Sequence, residues 1–216
     1  MVPERLEALS AIEISDAVYF FREVQGFELI FRLRVDNHAM GIYRSTEHPG
    51  WYVLAFRGTE ELADWATNLN TWPSWKQAHR GYRKGWLSMR AAVLAWFEGV
   101  EIKHLTLCGH SMGGALAQLA LLDIPRRPTH LITFGSTKAV SPSLASAIAS
   151  KADKGMRFVF GGDIAPFFPF AHLRHPHPAI QLGPPRTWWR MLLCFWHHHP
   201  RRYIAALGEG EEPAEA

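Results

Sequence analysis

Acidic residues are missing from a long stretch of this chain. None occurs between Asp163 and Glu209, while Arg174, Arg186, Arg190, Arg201 and Arg202 all fall there. Cysteine is nearly absent too, with only Cys108 and Cys194. That excludes a disulfide framework and gives no reason to expect an oxidising compartment. The N-terminus has no basic segment followed by an apolar run, so no secretory leader is expected. The longest apolar runs, such as 91–97, are far too short to span a bilayer. These absences lead to the expectation of a cytoplasmic protein, although leaderless export would leave no mark in a sequence. The net charge of +3 is too small to suggest a nucleic-acid partner. Neither internal repeats nor linkers interrupt the chain. At 216 residues and 48% apolar, it can bury one core. Residues 1–207 are therefore expected to form a single domain, as a monomer. The last nine residues, GEGEEPAEA (208–216), hold four Glu and little to bury, and are expected to be a disordered tail.

What is present reads as strands alternating with helices. A helix is expected near Ser15–Glu23. Phe27–Val35 and Met40–Arg44 suit a β-hairpin turning at Asp36-Asn37. Trp51–Phe56 (WYVLAF) is a continuous apolar run, the pattern of a strand covered on both faces. Helices are expected at Leu62–Leu69, Tyr82–Phe97, Met112–Leu122 and Leu144–Ser150, and strands at Leu105–Cys108, His130–Phe134 and Arg157–Phe160. Pro and Gly mark 161–169 and 176–185 as loops. This alternation implies an α/β class with a mostly parallel, doubly wound sheet. Ligands on such sheets sit at the carboxyl ends of the strands.

The strongest local signal is LTLCGHSMGGALAQLAL (105–121), which contains G-x-S-x-G at Gly109, Ser111 and Gly113. Between a strand and a helix, this turn strains the serine and lifts its hydroxyl above the sheet, and bulky neighbours at 109 and 113 would clash. Ser111 is the expected nucleophile. A serine hydroxyl is a weak nucleophile at its own pKa, so a base and an orienting acid must follow. Three aspartates lie beyond it. Asp123 sits at the far end of the nucleophile helix, and Asp153 precedes a strand. Asp163 directly follows the strand Arg157–Phe160, on the same edge as Ser111, and is the expected acid. The base must come later still, from among His172, His175, His177, His197, His198 and His199. The last three precede a closing helix at 203–207, a suitable entry point, and spacing leaves them undivided. An oxyanion hole is expected from the backbone N–H of Met112 and from Thr59, at the end of strand 51–56, where Gly58 permits close approach.

Together these blocks resemble the class 3 lipases, which include fungal triacylglycerol lipases. The resemblance is carried by VLAFRGT (53–59), DWATNL (64–69), HRGY (79–82), the serine block (105–121), LITFGS (131–136), RFVFGGDIAPFFP (157–169) and HHPRRYIAAL (198–207). It implies a single-domain α/β-hydrolase fold and lipase or esterase activity without cofactor. The implied triad is Ser111, Asp163 and a late His, with Thr59 and Met112 in the oxyanion hole. The family's closing segment often reads His-x-x-x-x-Tyr, which selects His198 relative to Tyr203. Where this chain has His197 the family often has Asp, so His197 and His199 remain alternatives. Thr137 stands where the family often has Pro.

The resemblance also implies a lipid or small ester substrate, such as an acylglycerol or lysophospholipid. Thioester cleavage or acyl transfer on the same triad is the alternative enzyme, and a silent lipid-binding relative is the alternative class. Residues 60–70, with Leu62, Trp65 and Leu69 on one helical face, lie where the fungal relatives carry a lid. The acid-free stretch, rich in Arg and in aromatics such as Phe167 and Trp196, would suit contact with an anionic lipid surface. No metal is expected, because His175-x-His177 and His197–His199 lack Cys or carboxylate partners.

Overall fold

Seven strands form one sheet in the computed structural model, which describes residues 3–58, 78–125, 129–169, 172–184 and 194–208. They are β1 (Phe27–Val35), β2 (His38–Ser45), β3 (Trp51–Phe56), β4 (His104–His110), β5 (Thr129–Phe134), β6 (Lys154–Phe160) and β7 (Ala179–Leu182), side by side in chain order. β1, β2 and β3 pair antiparallel. From β3 to β7 the sheet is parallel. The helices are α1 (Glu4–Ala17), α2 (Arg80–Trp96), α3 (Met112–Asp123), α4 (Pro142–Lys151), α5 (Cys194–His197) and α6 (Pro200–Gly208).

Strand order dictates the layering. Right-handed crossovers that advance one strand at a time must all pass over the same face. α2, α3 and α4 make these crossovers, and Trp86, Met89, Leu116, Ala120 and Ile148 join one apolar cluster there. The opposite face falls to α1 and α6. Ala8, Ala11, Ile12, Ala206 and Leu207 pack there with Val53, Ala55, Ile132 and Phe134. Arg5 Nε donates to Leu207 O at 3.0 Å and ties the two helices together. With both faces covered, the unbroken apolar run of β3 has somewhere to bury every side chain.

The hairpin turns where expected, with Val35 opposite His38 and Asp36 at φ +52°. The first helix does not lie where expected. It spans Glu4–Ala17, burying Ala8, Ala11, Ile12 and Ser15 at helical spacing. It cannot run on to Glu23, because Phe21 adopts φ +53°. The loop expected over 176–185 contains β7, an edge strand whose prolines flank the paired residues rather than interrupt them. Gly208, expected to open the tail, closes α6. The helix expected at 62–69 and residues 209–216 lie outside the described residues.

Candidate active site

β4 passes into α3 through Ser111, which sits at φ +56°, ψ −126°, outside the regions that L-residues ordinarily populate. The turn closes only with glycine on either side. A Cβ at Gly109 would lie 2.3 Å from the carbonyl carbon of Gly113, and one at Gly113 would lie 2.1 Å from Phe56 O. Ser111 N donates to Phe134 O at 2.9 Å, and Ser111 O accepts from Gly114 N at 3.1 Å. The strained residue is thus fixed between the carboxyl end of β5 and the first turn of α3.

Asp163 follows β6 on the same edge and is fully buried. Its Oδ2 lies 2.8 Å from His198 Nδ1 and accepts from Tyr203 OH at 2.6 Å; its Oδ1 accepts from Ala165 N at 2.9 Å. A Cβ at Gly135, the residue after Phe134, would meet Asp163 Oδ2 at 2.5 Å and His198 Nδ1 at 3.0 Å. The acid, the imidazole and the end of β5 that holds Ser111 therefore converge. His198 Nε2 is buried with no hydrogen-bond partner. A buried acceptor without a partner typically costs about 1–3 kcal/mol.

The neighbouring histidines are engaged otherwise. His197 Nδ1 accepts from Gly162 N at 2.9 Å, and His199 is exposed with Nδ1 near Arg201 N. His175 Nε2 donates to Pro166 O at 2.7 Å; burial, with the charge of Arg157, pushes its pKa down to about 4. His177 accepts from Arg157 Nε through its carbonyl, and His172 is exposed. The other aspartates do structural work. Asp123 accepts from Trp86 Nε1 and Arg90 Nε, and Asp153 from Thr129 N at the opposite edge. Cys108 is a fully buried thiol that burial pushes up to about 12, which excludes it as a nucleophile.

Three further side chains join the site that sequence reasoning did not assign to it. Tyr203 accepts from Phe160 N while donating to Asp163. Burial, with the adjacent Asp163 charge and hydrogen bond, raises its pKa well above the ordinary phenol value and keeps it a donor. His110 Nε2 lies 2.6 Å from the carbonyl of His198, an acceptor only, so Nε2 carries the proton. Its Nδ1 is then free to accept from Tyr19 OH at 3.4 Å. His110 stands beside Ser111 in the motif and Tyr203 in the closing segment. Spacing signals their presence but not their partners.

Of the two expected oxyanion donors, Met112 is the first residue of α3, where N–H groups have no intrahelical acceptor. Thr59 and residues 60–70, including the face of Leu62, Trp65 and Leu69, lie outside the described residues. The last described residue before them is Gly58. A Cβ there would be 3.3 Å from Ser111 Cβ and 2.2 Å from Tyr19 OH, so Gly58 itself lies beside the serine.

The family model for Lipase (class 3) matches residues 53–173, more than half of the chain. The chain belongs to the class 3 lipase family. It is similar to a lipase of Rhizomucor miehei, 27% identical over 151 residues, covering 62% of this chain and 41% of that protein. It is likewise 27% identical over 138 residues to the secreted mono- and diacylglycerol lipase A of Penicillium cyclopium, covering 58% of this chain and 45% of that protein. The match thus spans less than half the length of either relative. Among solved structures, the mono- and diacylglycerol lipase of Aspergillus oryzae superposes with a TM-score of 0.72 at 17% identity, covering 86% of this chain and 82% of the other. The shared fold is the α/β-hydrolase fold, with its mostly parallel sheet and flanking helices.

For this lipase-family chain, the expectation of a cytoplasmic location is corrected. Lipases that align with it are named as secreted. A compartment is addressed by signals separate from the folded core, so the composition of this fold does not encode one. Thr137, where the family often has Pro, is buried and donates through Oγ1 to Tyr82 OH at 3.1 Å.

Proposed function

We propose that this chain is a serine hydrolase that cleaves carboxylic esters of lipids. The reading rests above all on one observation: a buried carboxylate–imidazole pair, Asp163–His198, with the far imidazole nitrogen unpartnered, on the sheet edge that carries the strained Ser111. With its proton on Nδ1 held by Asp163, His198 presents a lone pair at Nε2. Ser111 Oγ attacks the ester carbonyl carbon as its proton passes to Nε2. The tetrahedral oxyanion takes hydrogen bonds from the Met112 N–H and from Thr59, each such donor worth about 3 kcal/mol in the transition state. The ester C–O bond then breaks, His198 protonates the departing alcohol, and an acyl-enzyme remains on Ser111. Water attacks that ester with His198 again as base, and the free acid leaves.

Acylglycerols and lysophospholipids are the proposed substrate class. Mono- and diacylglycerols appear in the names of the Penicillium and Aspergillus proteins, and family membership favours ester hydrolysis over thioester cleavage or transfer. Contact with an anionic lipid surface is part of the same proposal. Phe20 is 71% exposed beside Tyr19, Trp196 is 55% exposed two residues before His198, and Phe167 is exposed four residues after Asp163. The Arg202 guanidinium lies 3.1 Å over the Trp196 ring; that of Arg22, 5.9 Å over Phe20, is paired with Asp16. Apolar rings joined to cations at the rim of a site suit an interface bearing negative headgroups.

A fluorophosphonate probe tests the chemistry. The native chain is expected to be labelled and Ser111→Ala to be blank; an unlabelled native chain would leave only the silent relative. Hydrolysis of p-nitrophenyl esters across acyl lengths, with a micellar substrate alongside, tests the class. Turnover confined to short soluble esters would remove lipids from it. Retention on liposomes equally with and without anionic lipid would remove the headgroup preference.

A further inference from the structure

The amino edge of the sheet, opposite the serine, carries a second convergence of titratable side chains. Glu7 projects from α1 and is 1% exposed. Its Oε1 lies 2.8 Å from His104 Nε2 and its Oε2 lies 2.8 Å from His130 Nδ1. The strands bring the two imidazoles together. Thr106 registers with His130, and His104 stands two residues before Thr106, so all three share the sheet face that α1 covers. The rings meet nearly at right angles, 84° with centroids 4.4 Å apart, which lets the edge nitrogen of each aim at a common centre.

The carboxylate is held from behind. Thr106 Oγ1 donates to Glu7 Oε1 at 2.5 Å and accepts from Trp51 Nε1 at 3.0 Å. Such outer hydrogen bonds orient a ligand and raise its affinity for an ion. The carboxylate is also ionised throughout the ordinary range. Burial opposes its charge, but the hydrogen bonds from His104, His130 and Thr106 outweigh burial and hold its pKa at about 2. The two imidazoles are about one-fifth exposed, leaving a way in from solvent and room for water in the coordination shell.

We propose that Glu7, His104 and His130 form a binding site for a divalent transition-metal ion, zinc being the best match, which staples α1 to the amino ends of β4 and β5. Two imidazoles and one carboxylate are a donor set that zinc accepts with water completing its shell, whereas calcium and magnesium need more oxygen donors. The candidate ligand atoms of the three residues all lie within 4.8 Å of one another. Bonds of about 2.0–2.1 Å in tetrahedral array separate ligand atoms by roughly 3.3 Å. The two 2.8 Å contacts therefore open by about half an ångström on binding, within reach of small rotations of the partly exposed rings. Among the described residues, no other three His, Cys, Asp or Glu side chains bring ligand atoms this close. The site does not depend on the proposed esterase chemistry, because it shares no residue with it.

Cobalt(II) titration of the chelator-treated full chain tests the proposal by visible absorption, followed by displacement with zinc and by thermal unfolding. One equivalent of cobalt is expected to produce intense d–d bands that one equivalent of zinc removes. Excess zinc should raise Tm by several degrees, roughly as mass action requires for an ion bound only by the folded chain. His104→Asn and His130→Asn should each weaken binding by about a hundredfold or more and abolish the Tm rise, since each removes a primary ligand. His199→Asn should change neither. Diethylpyrocarbonate mapping of the native chain gives an answer that needs no variant: zinc should shield His104 and His130 and leave His199 reactive. Absence of a one-equivalent event, unaltered binding in folded His104→Asn and His130→Asn chains, or equal modification of His104 and His130 with and without zinc would overturn the site.

Discussion

At the carboxyl edge of the sheet, His198 lies 2.8 Å from the buried Asp163; at the amino edge, His104 and His130 lie 2.8 Å from the buried Glu7. The distances match, but the surroundings do not. At the carboxyl edge the imidazole is 2% exposed and its other nitrogen has no partner. That edge also carries a residue held at positive φ. At the amino edge each carboxylate oxygen meets an imidazole of its own, the rings reach solvent, and the Thr106 hydroxyl is already spent on Glu7. A carboxylate–imidazole contact alone therefore does not mark a catalytic pair. The unfilled valence and the backbone strain beside it are what support the role proposed for Asp163 and His198.

Substitutions should drive the two edges apart in order of size. His198→Ala is expected to lower kcat by about a millionfold, the scale on which a triad fails when its base is lost, while leaving the fold intact by circular dichroism. A larger loss in His197→Ala would reassign the base. Next comes Glu7→Gln, measured by denaturant unfolding in chelator. The folded pKa of Glu7 lies below its ordinary 4.5, at about 2. Its contribution to stability is therefore complete above pH 4.5 and is lost as pH falls toward 2. The variant should lose about 3 kcal/mol at pH 7, the scale of removing one partner from a buried charged network. It should converge on the native chain near pH 2, with esterase turnover unaffected. A deficit that ignores pH would mean Glu7 acts by packing alone.

Smaller effects should follow at the residues behind the triad. Tyr203→Phe leaves the Phe160 N–H and one lone pair of Asp163 without a partner, and should cost about 1–2 kcal/mol of stability and about tenfold in kcat. His110→Ala removes the donor that fixes the His198 carbonyl. It should lower kcat by about tenfold at constant KM, an orientation effect, and His110→Asn, which restores a donor, should recover part of it. A matched rise in KM would instead make His110 a wall of the substrate site. His199→Ala, with an exposed side chain, should stay within about 0.5 kcal/mol and near-native turnover.

How much of this could be read from sequence follows from how local each feature is. The placement of Ser111 at a strained strand-to-helix turn is legible because glycines stand two residues away on either side, and that of Asp163 at the carboxyl edge because it follows a strand whose edge was already assigned. His198 was not separable from His197 and His199 by spacing, since choosing among adjacent residues needs the helical phase at which the chain enters α6. The family's His-to-Tyr spacing pointed to it, and Tyr203 turns out to share Asp163 with it. The Glu7 cluster joins residues separated by up to 123 positions, and nothing in the chain announces their meeting. The helix expected at Ser15–Glu23 lies too late in the chain, because the apolar stripe starts at Ala8 and the backbone reverses at Phe21. β7 was hidden by prolines that turn out to bracket it.

The ring of His110 lies 4.4 Å from that of His198, tilted by 40°. Burial, reinforced by His198 and His199, pushes its pKa well below that of an ordinary imidazole, against the hydrogen bond to the His198 carbonyl. It thus stays uncharged while, in the proposed mechanism, its neighbour gains and releases a proton in every turnover. Two adjacent cations would repel, and a second titrating ring would split that proton between two sites. An inert companion spares the base both conflicts, so a single imidazolium can come and go without having to compete for its positive charge.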